Sequence, residues 1–317
     1  MGAYQRDVLQ DAAQLEIRLR CPRCSANLAS LDCTKCRFQF HESGGIIHAL
    51  PPERVDHYAQ FIRDYEHIRT AEGRGSACDD FYLKLPYRDN SGKNGRQWRI
   101  RARTFDYLLK HLLASSVPRG GKVLDLGAGN CWMSYRLALA GYRTFAVDLL
   151  TNPYDGLGAA ERYRKYIPNF FPCFQAELAH LPFQGEQFDA VVFNASFHYA
   201  EDSAAALREA LRCLKSSGLL IISDTPWYSC EESGNAMVEE RRANFLERYG
   251  TASASIESVE FLTDERLQTL EECLAIRWSI HFPRYGLRWT IRPFVAKLRH
   301  KREPAKFRIY VARKAVA

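Results

Sequence analysis

Val123-Leu124-Asp125-Leu126-Gly127-Ala128-Gly129-Asn130 decides how this chain is read. A short apolar run ends in an acid, and a Gly-x-Gly turn then opens into the helical pattern of residues 131–140. Glycines at such a turn take positive φ and let backbone approach a ligand closely. A dinucleotide site would carry a further glycine three residues on, where this chain has Trp132. A pyrophosphate wants the close helix packing that glycine allows; a ligand without phosphate does not. Asp125 points the same way, because a carboxylate repels a diphosphate. It suits a cationic ligand instead, directly or by organising water and backbone amides.

Working outward, short apolar runs alternate with amphipathic stretches from Gly121 onward, the pattern of strand–helix units over a parallel sheet. Strands are expected at Lys122–Leu126, Arg143–Val147, Phe171–Gln175, Ala190–Asn194, Leu219–Ser223, Ala275–His281 and Lys306–Ala312. Helices are expected at Cys131–Ala140, Leu157–Tyr166, Ala204–Leu214 and Asp264–Cys273. This is an α/β fold: a Rossmann-like, seven-stranded, mostly parallel sheet with helices on both faces, over residues 121–317. Residues 53–120 read as a polar, partly helical linker or cap, with helical spacing over Arg99–Ala114.

These motifs resemble those of class I S-adenosylmethionine-dependent methyltransferases, in particular the group containing ubiquinone and menaquinone C-methyltransferases. Val123 to Gly129 matches the first motif, Ala146-Val147-Asp148 the second strand end, and Glu177-Leu178-Ala179-His180-Leu181-Pro182-Phe183 the third. Phe188-Asp189-Ala190-Val191-Val192 matches the fourth strand, and Leu214-Lys215 with Gly218-Leu219-Leu220 the turn into the fifth. The resemblance implies S-adenosylmethionine as cofactor, bound by Asp125, Gly127, Ala128, Gly129, Asn130, Asp148, Leu149, Glu177, Leu178, Asn194 and Ala195. Asp148 would accept from the ribose hydroxyls. Glu177 would accept from the adenine amine, although the family usually carries Asp there.

The acceptor should sit beyond the carboxyl ends of the fourth and fifth strands. Those loops offer His198, Tyr199 and Asp224 as catalytic candidates for orienting or deprotonating it. Residues 228–262 read as an insertion covering the substrate, with a helix over Ala236–Tyr249. Neither loop carries the Asn/Asp-Pro-Pro-aromatic motif of many enzymes that methylate base amines, nor the cysteine used to make 5-methylcytosine. A small or lipid-like acceptor is therefore the leading expectation. The alternatives are rRNA or tRNA, docked through the basic C-terminal end and an N-terminal cysteine module, and a non-catalytic scaffold with the same fold.

That module spans residues 15–52. Cys21-Pro22-Arg23-Cys24 and Cys33-Thr34-Lys35-Cys36 place four thiolates for one tetrahedral Zn²⁺. With Cys21, Cys24, Cys33 and Cys36 filling the shell, no vacancy is left for water, and the role is structural. Metal binding would give so small a module about 10–16 kcal/mol of folding energy. The stretch from Leu19 to Pro51 resembles the zinc-ribbon domain of proteins that activate tRNA methyltransferases, through these knuckles, Phe38, Phe40, Gly44-Gly45-Ile46-Ile47 and Leu50-Pro51.

The remaining six of the 10 cysteines are scattered singly, which argues against a disulfide framework and for a reducing compartment. The N-terminus has no signal-like apolar core, and no stretch reaches the length of an integral membrane segment, so the expected location is cytoplasmic. The net charge of +7 is mild for the length and concentrates at the C-terminal end. There Leu287, Ile291, Phe294, Val295 and Leu298 form an apolar stripe among basic residues. It is read as a helix packed on the sheet with a solvated basic face, rather than one lying on membrane or RNA.

Overall fold

The computed structural model describes residues 17–314. Residues 15 and 16 of the expected ribbon, and 315–317 of the expected α/β domain, lie outside the described residues.

The centre of the molecule is a run of parallel strands: β5 (Lys122–Leu126), β6 (Arg143–Asp148), β7 (Cys173–Gln175), β8 (Phe188–Asn194) and β9 (Leu214–Ser223). Their sequences are near-continuous apolar runs because both faces are covered. Val191, Val192 and Phe193 are fully buried, as are Leu220, Ile221 and Ile222. Helices Trp132–Leu139, Ser203–Cys213 and Asp264–Leu274 belong to the flanking layers. Asp202 caps the second of these by accepting from the Ala205 amide at 2.9 Å, and Thr263 caps the third from the Arg266 amide at 3.2 Å.

The sheet has nine strands, not the seven expected, in the order β11-β13-β9-β8-β5-β6-β7-β4-β3. At one edge β13 (Ile309–Arg313) runs antiparallel to β9, and β11 (Ser279–His281) antiparallel to β13. At the other edge lie two strands from the cysteine module, β3 (His41–Ser43) and β4 (Ile46–His48). β4 pairs in parallel with β7, Ile47 opposite Phe174. The module is thus part of the sheet. Leu19, Phe38, Phe40 and Ile47 share one apolar core with Leu126, Val147, Phe174 and Phe183. Only its first hairpin, β1 (Leu19–Arg20) with β2 (Asn27–Leu28), stands apart from the main sheet.

Several expected elements shift. The sixth strand shortens because Ala275 takes φ 51° and ends the preceding helix, so pairing begins only at Ser279. The last strand divides into β12 (Lys306–Phe307), which pairs with β10 (Pro226–Trp227), and β13. Leu157–Tyr166 is a 3₁₀ helix, and Arg99–Ala114 is part of α3 (Gly95–Tyr107) continued by a π-helical turn over Leu108–Leu113. The insertion helix is longer than expected, Glu231–Tyr249.

The C-terminal stripe does not pack on the sheet. Leu287, Ile291, Phe294 and Leu298 are exposed, and only Val295 is half-buried. The segment is anchored instead by Trp289, which stacks on Phe307 with ring centroids 5.4 Å apart and carries the Arg292 guanidinium on its face.

Candidate active site

β5 lies between β6 and β8, so the chain leaves β5 in one direction and returns to its other side. Ligands of open α/β sheets bind at such a switch point, beyond the carboxyl ends of the strands. Here a cavity of about 410 Å³ opens at that point. All eleven residues expected around a cofactor line it: Asp125, Gly127, Ala128, Gly129, Asn130, Asp148, Leu149, Glu177, Leu178, Asn194 and Ala195.

The turn that forms its floor is tightly specified. Gly127 has φ 73°, and a Cβ there would stand 2.2 Å from the Ser196 Cβ. Ser196 Oγ in turn donates to the Leu126 carbonyl at 2.5 Å. Asp148 accepts from the Gly129 amide at 2.7 Å and from the Leu150 amide at 2.8 Å. A carboxylate has about four lone-pair sites, so two remain toward the cavity. Asp125 accepts from Ser134 Oγ at 2.7 Å, tying the strand end to the helix that follows. Burial pushes Asp125 up to about 7, against the Ser134 hydrogen bonds, and Asp148 up to about 6, against the Leu150 and Gly129 amides. Ligands that bring positive charge relieve such buried carboxylates.

Glu177 lines the cavity, but its carboxylate is already engaged. The Arg54 guanidinium donates to both oxygens, at 3.0 and 2.6 Å, His180 Nδ1 lies 3.0 Å away, and Tyr58 Oη, 3.0 Å away, has one proton to offer between Glu177 and Glu201. Burial pushes Glu177 up, yet the hydrogen bonds from His180 and Arg54 outweigh it and hold the group at about 2. An adenine amine would have to compete with Arg54 and His180 for this carboxylate. Glu177 instead fastens α1 (Pro52–Ala71) across the cavity.

α1 is what sequence reasoning missed. Arg54, Tyr58, Phe61, Tyr65 and Arg69 recur at helical spacing and all line the cavity. Arg69 closes the far end with an ion pair to Asp155 at 2.5 Å. The available signal was three aromatic residues between two arginines at helical spacing, within a stretch read as a polar, partly helical linker or cap.

A second cavity, about 280 Å³, adjoins the first, and Phe61, Tyr65, Arg69, Arg101, Ala195 and Tyr199 line both. The three catalytic candidates meet here: His198, Tyr199 and Asp224 all line it. So do Arg241, Phe245, Ser253, Ile256, Ser258 and Glu260 of the insertion. Ala195 and Asp224, just past β8 and β9, both take positive φ, 56° and 51°. Asp224 Oδ1 accepts from Thr104 Oγ1 at 2.6 Å, whereas Oδ2 is buried with no partner. Burial raises the Asp224 carboxyl, against the Thr104 hydrogen bond. His198 Nδ1 is also buried without a partner. Burial first, then Arg241, Arg101 and Arg69, push this imidazole down to about 3, so it is neutral at ordinary pH. Arg101 was not singled out by the sequence. Its guanidinium lies over the Trp98 ring, 4.9 Å from the centroid, and makes no ion pair among the described residues.

Residues 124–222 match the family described as methyltransferase domain. The glycine turn, Asp148, Glu177 and the strand ends that form the switch point fall inside that stretch. This stretch is a methyltransferase domain. An arsenite methyltransferase of Aquipseudomonas alcaligenes is 31% identical over 121 residues, which are 36% of this chain and 35% of the relative. A demethylmenaquinone methyltransferase of Mycobacterium marinum is 30% identical over 129 residues, 41% of this chain and 48% of the relative. The chain thus spans at most about half the length of these curated relatives. The solved structure of geranyl diphosphate C-methyltransferase from Streptomyces coelicolor A3(2) is similar in fold, with 16% identity and a TM-score of 0.51. The similarity covers 72% of this chain and 86% of that one. The two strands that the cysteine module adds lie outside the stretch that matches the methyltransferase-domain family.

In that module the four sulfurs lie within 4.8 Å of one another. Cys21 and Cys36 Sγ are 3.5 Å apart, Cys24 and Cys33 Sγ 3.4 Å. The two knuckles fold alike: the Ser25 amide donates to the Cys21 carbonyl at 2.9 Å, the Arg37 amide to the Cys33 carbonyl at 2.8 Å. Tetrahedral zinc with about 2.3 Å bonds to sulfur needs four such converging thiolates, and this donor set fits it.

Proposed function

We propose that the chain transfers a methyl group from S-adenosylmethionine to a small or lipid-like acceptor seated in the second cavity. The observation that carries this is the pair of adjoining cavities with Ala195 and Tyr199 in their common wall. One has a glycine turn and buried acids suited to a sulfonium ligand. The other is lined by His198, Tyr199 and Asp224, side chains able to orient an acceptor or take its proton. The relatives named for arsenite and demethylmenaquinone agree with an acceptor of modest size.

When bound, the cofactor supplies an electrophilic methyl group. The chain's own residues hold and align the two partners, an effect worth about 7–11 kcal/mol when geometry is right. Asp148 accepts from the ribose hydroxyls, Gly127 to Gly129 present backbone to the amino-acid portion, and Leu149 and Leu178 give apolar walls. Asp125 and Asn130 hold the turn in shape, and Asn194 and Ala195 would line the cofactor's place. Asp224 Oδ2 takes the proton that the acceptor loses, with Thr104 holding the other oxygen. His198, kept neutral, orients the acceptor by a hydrogen bond, and Tyr199 closes the wall. Cys21, Cys24, Cys33 and Cys36 hold one structural Zn²⁺.

Calorimetry with S-adenosylhomocysteine tests the reading. Binding in the micromolar range, about −8 kcal/mol, is expected, and Asp148→Ala should weaken it tenfold or more. Absence of binding to the folded protein rejects the proposal.

A further inference from the structure

The C-terminal segment between β11 and β12 has two different sides. Its inner side is tied to residues around the second cavity: Trp289 stacks on Phe307, which lines that cavity, and Tyr285 Oη lies 2.8 Å from Thr104 Oγ1, the partner of Asp224. Its outer side carries Phe282, Leu287, Ile291, Phe294 and Leu298, exposed by 64, 76, 45, 72 and 72%. Single exposed apolar side chains are ordinary, but contiguous ones on a helical face mark an interaction surface. Leu287, Ile291, Phe294 and Leu298 stand at helical spacing along helices Leu287–Thr290 and Arg292–Leu298, with Ile291 at the junction between them.

The charge around this face has one sign. Residues 282–302 contain no Asp or Glu. Arg284, Arg288, Lys297, Arg299 and Lys301 are exposed, and none makes an ion pair among the described residues. A second copy of this face would be repelled by the same cations. RNA would neutralise the cations but gives Leu287 and Leu298 nothing to be buried in. An anionic bilayer surface satisfies both halves of the pattern, with acyl chains for the apolar stripe and headgroups for the cations.

We infer that residues 282–302 dock the protein on anionic lipid surfaces. Docking turns the segment's outer side to the lipid while its inner side stays packed on Phe307, so the second cavity lies close to the membrane. The inference does not rest on methyl transfer, because lipid binding is read without cofactor or turnover.

The test is sedimentation of the full chain with vesicles of phosphatidylcholine containing a quarter phosphatidylglycerol, and with vesicles of phosphatidylcholine alone. Retention on the anionic vesicles, weakened at high salt, is expected. Each cation near such a surface contributes about fivefold in binding. Replacing Leu287, Phe294 and Leu298 together by Glu should reduce retention at least tenfold. These side chains are exposed, so the thermal midpoint of the variant should stay within a few degrees of the parent. Unchanged retention by that folded variant, equal retention on neutral vesicles, or displacement from the vesicles by an RNA oligonucleotide overturns the inference. If the variant unfolds, Phe294→Glu alone, read against Arg288→Glu, gives the same decision.

Discussion

Asp148 and Asp224 are both buried acids at strand ends, yet they face different chemistry. Asp148 must be ionised to accept from ribose hydroxyls, and its folded value is about 6. Cofactor affinity should therefore be flat above that pH and fall up to about tenfold per unit below it. Asp125, at about 7, titrates nearby, so the comparison is with Asp148→Asn, which should bind weakly and lack the step near 6. Calorimetry between pH 5 and 8 reads both, and a wild-type profile identical to the variant's would remove Asp148 from the ribose contact. For Asp224, Asn is nearly isosteric and keeps the Thr104 contact but cannot take a proton. Asp224→Asn should lower kcat about a hundredfold or more with little change in KM. An unchanged kcat would assign the proton to solvent or to His198. The sequence marked all fourteen of these cofactor and catalytic candidates, because strand ends and their loops are fixed by local pattern. It did not foresee that Glu177 would be engaged by Arg54, which lies 123 residues away along the chain.

At the scale of elements, α1 is held over the cofactor cavity largely by Glu177. Removing the carboxylate leaves Arg54 with Glu201, 3.1 Å away and partly exposed. Glu177→Ala should cost about 2–3 kcal/mol, at the low end for a buried pair because Arg54 is part-exposed. That lowers the thermal midpoint by about 3–5 °C in a chain of this size. If α1 also shapes the cofactor cavity, the loss should be larger with saturating cofactor than without. Equal shifts in both conditions would leave Glu177 a purely structural anchor. The sign with pH follows from its depressed value: the stabilisation is complete above about 4.5 and is lost as pH falls toward about 2. The parallel strands were legible because their apolar runs are bounded by turns, and the helices because their caps and spacing are local. The C-terminal stripe was misjudged for a related reason. Periodicity reports that one helical face is apolar, but not whether that face meets the sheet or leaves it, and Trp289 had taken the anchoring role.

At the scale of the whole molecule, the cysteine module and the methyltransferase domain share a sheet and a core. Stripping zinc should therefore unsettle more than residues 17–50. A loss of even about 3 kcal/mol would lower the midpoint of the whole chain by about 4–5 °C. Hydrogen exchange should show lost protection across the β4–β7 pairing, at Ile47 and Phe174 together. If only the first hairpin loosens on chelation while that pairing stays protected, the metal supports the knuckles alone. The same pairing has a consequence for how the protein is made. His48 and Gln175 are partners 127 residues apart. Ribosomes add about 5–20 residues each second, so the β3–β4 hairpin waits about 6–25 s for β7 to emerge. Throughout that interval one edge of β4, with Ile46 and Ile47, has no neighbour, and unpaired strand edges invite aggregation. Chains arrested on the ribosome with β7 still in the exit tunnel should be cleaved by protease within residues 41–50. Chains arrested after β7 has cleared it should resist.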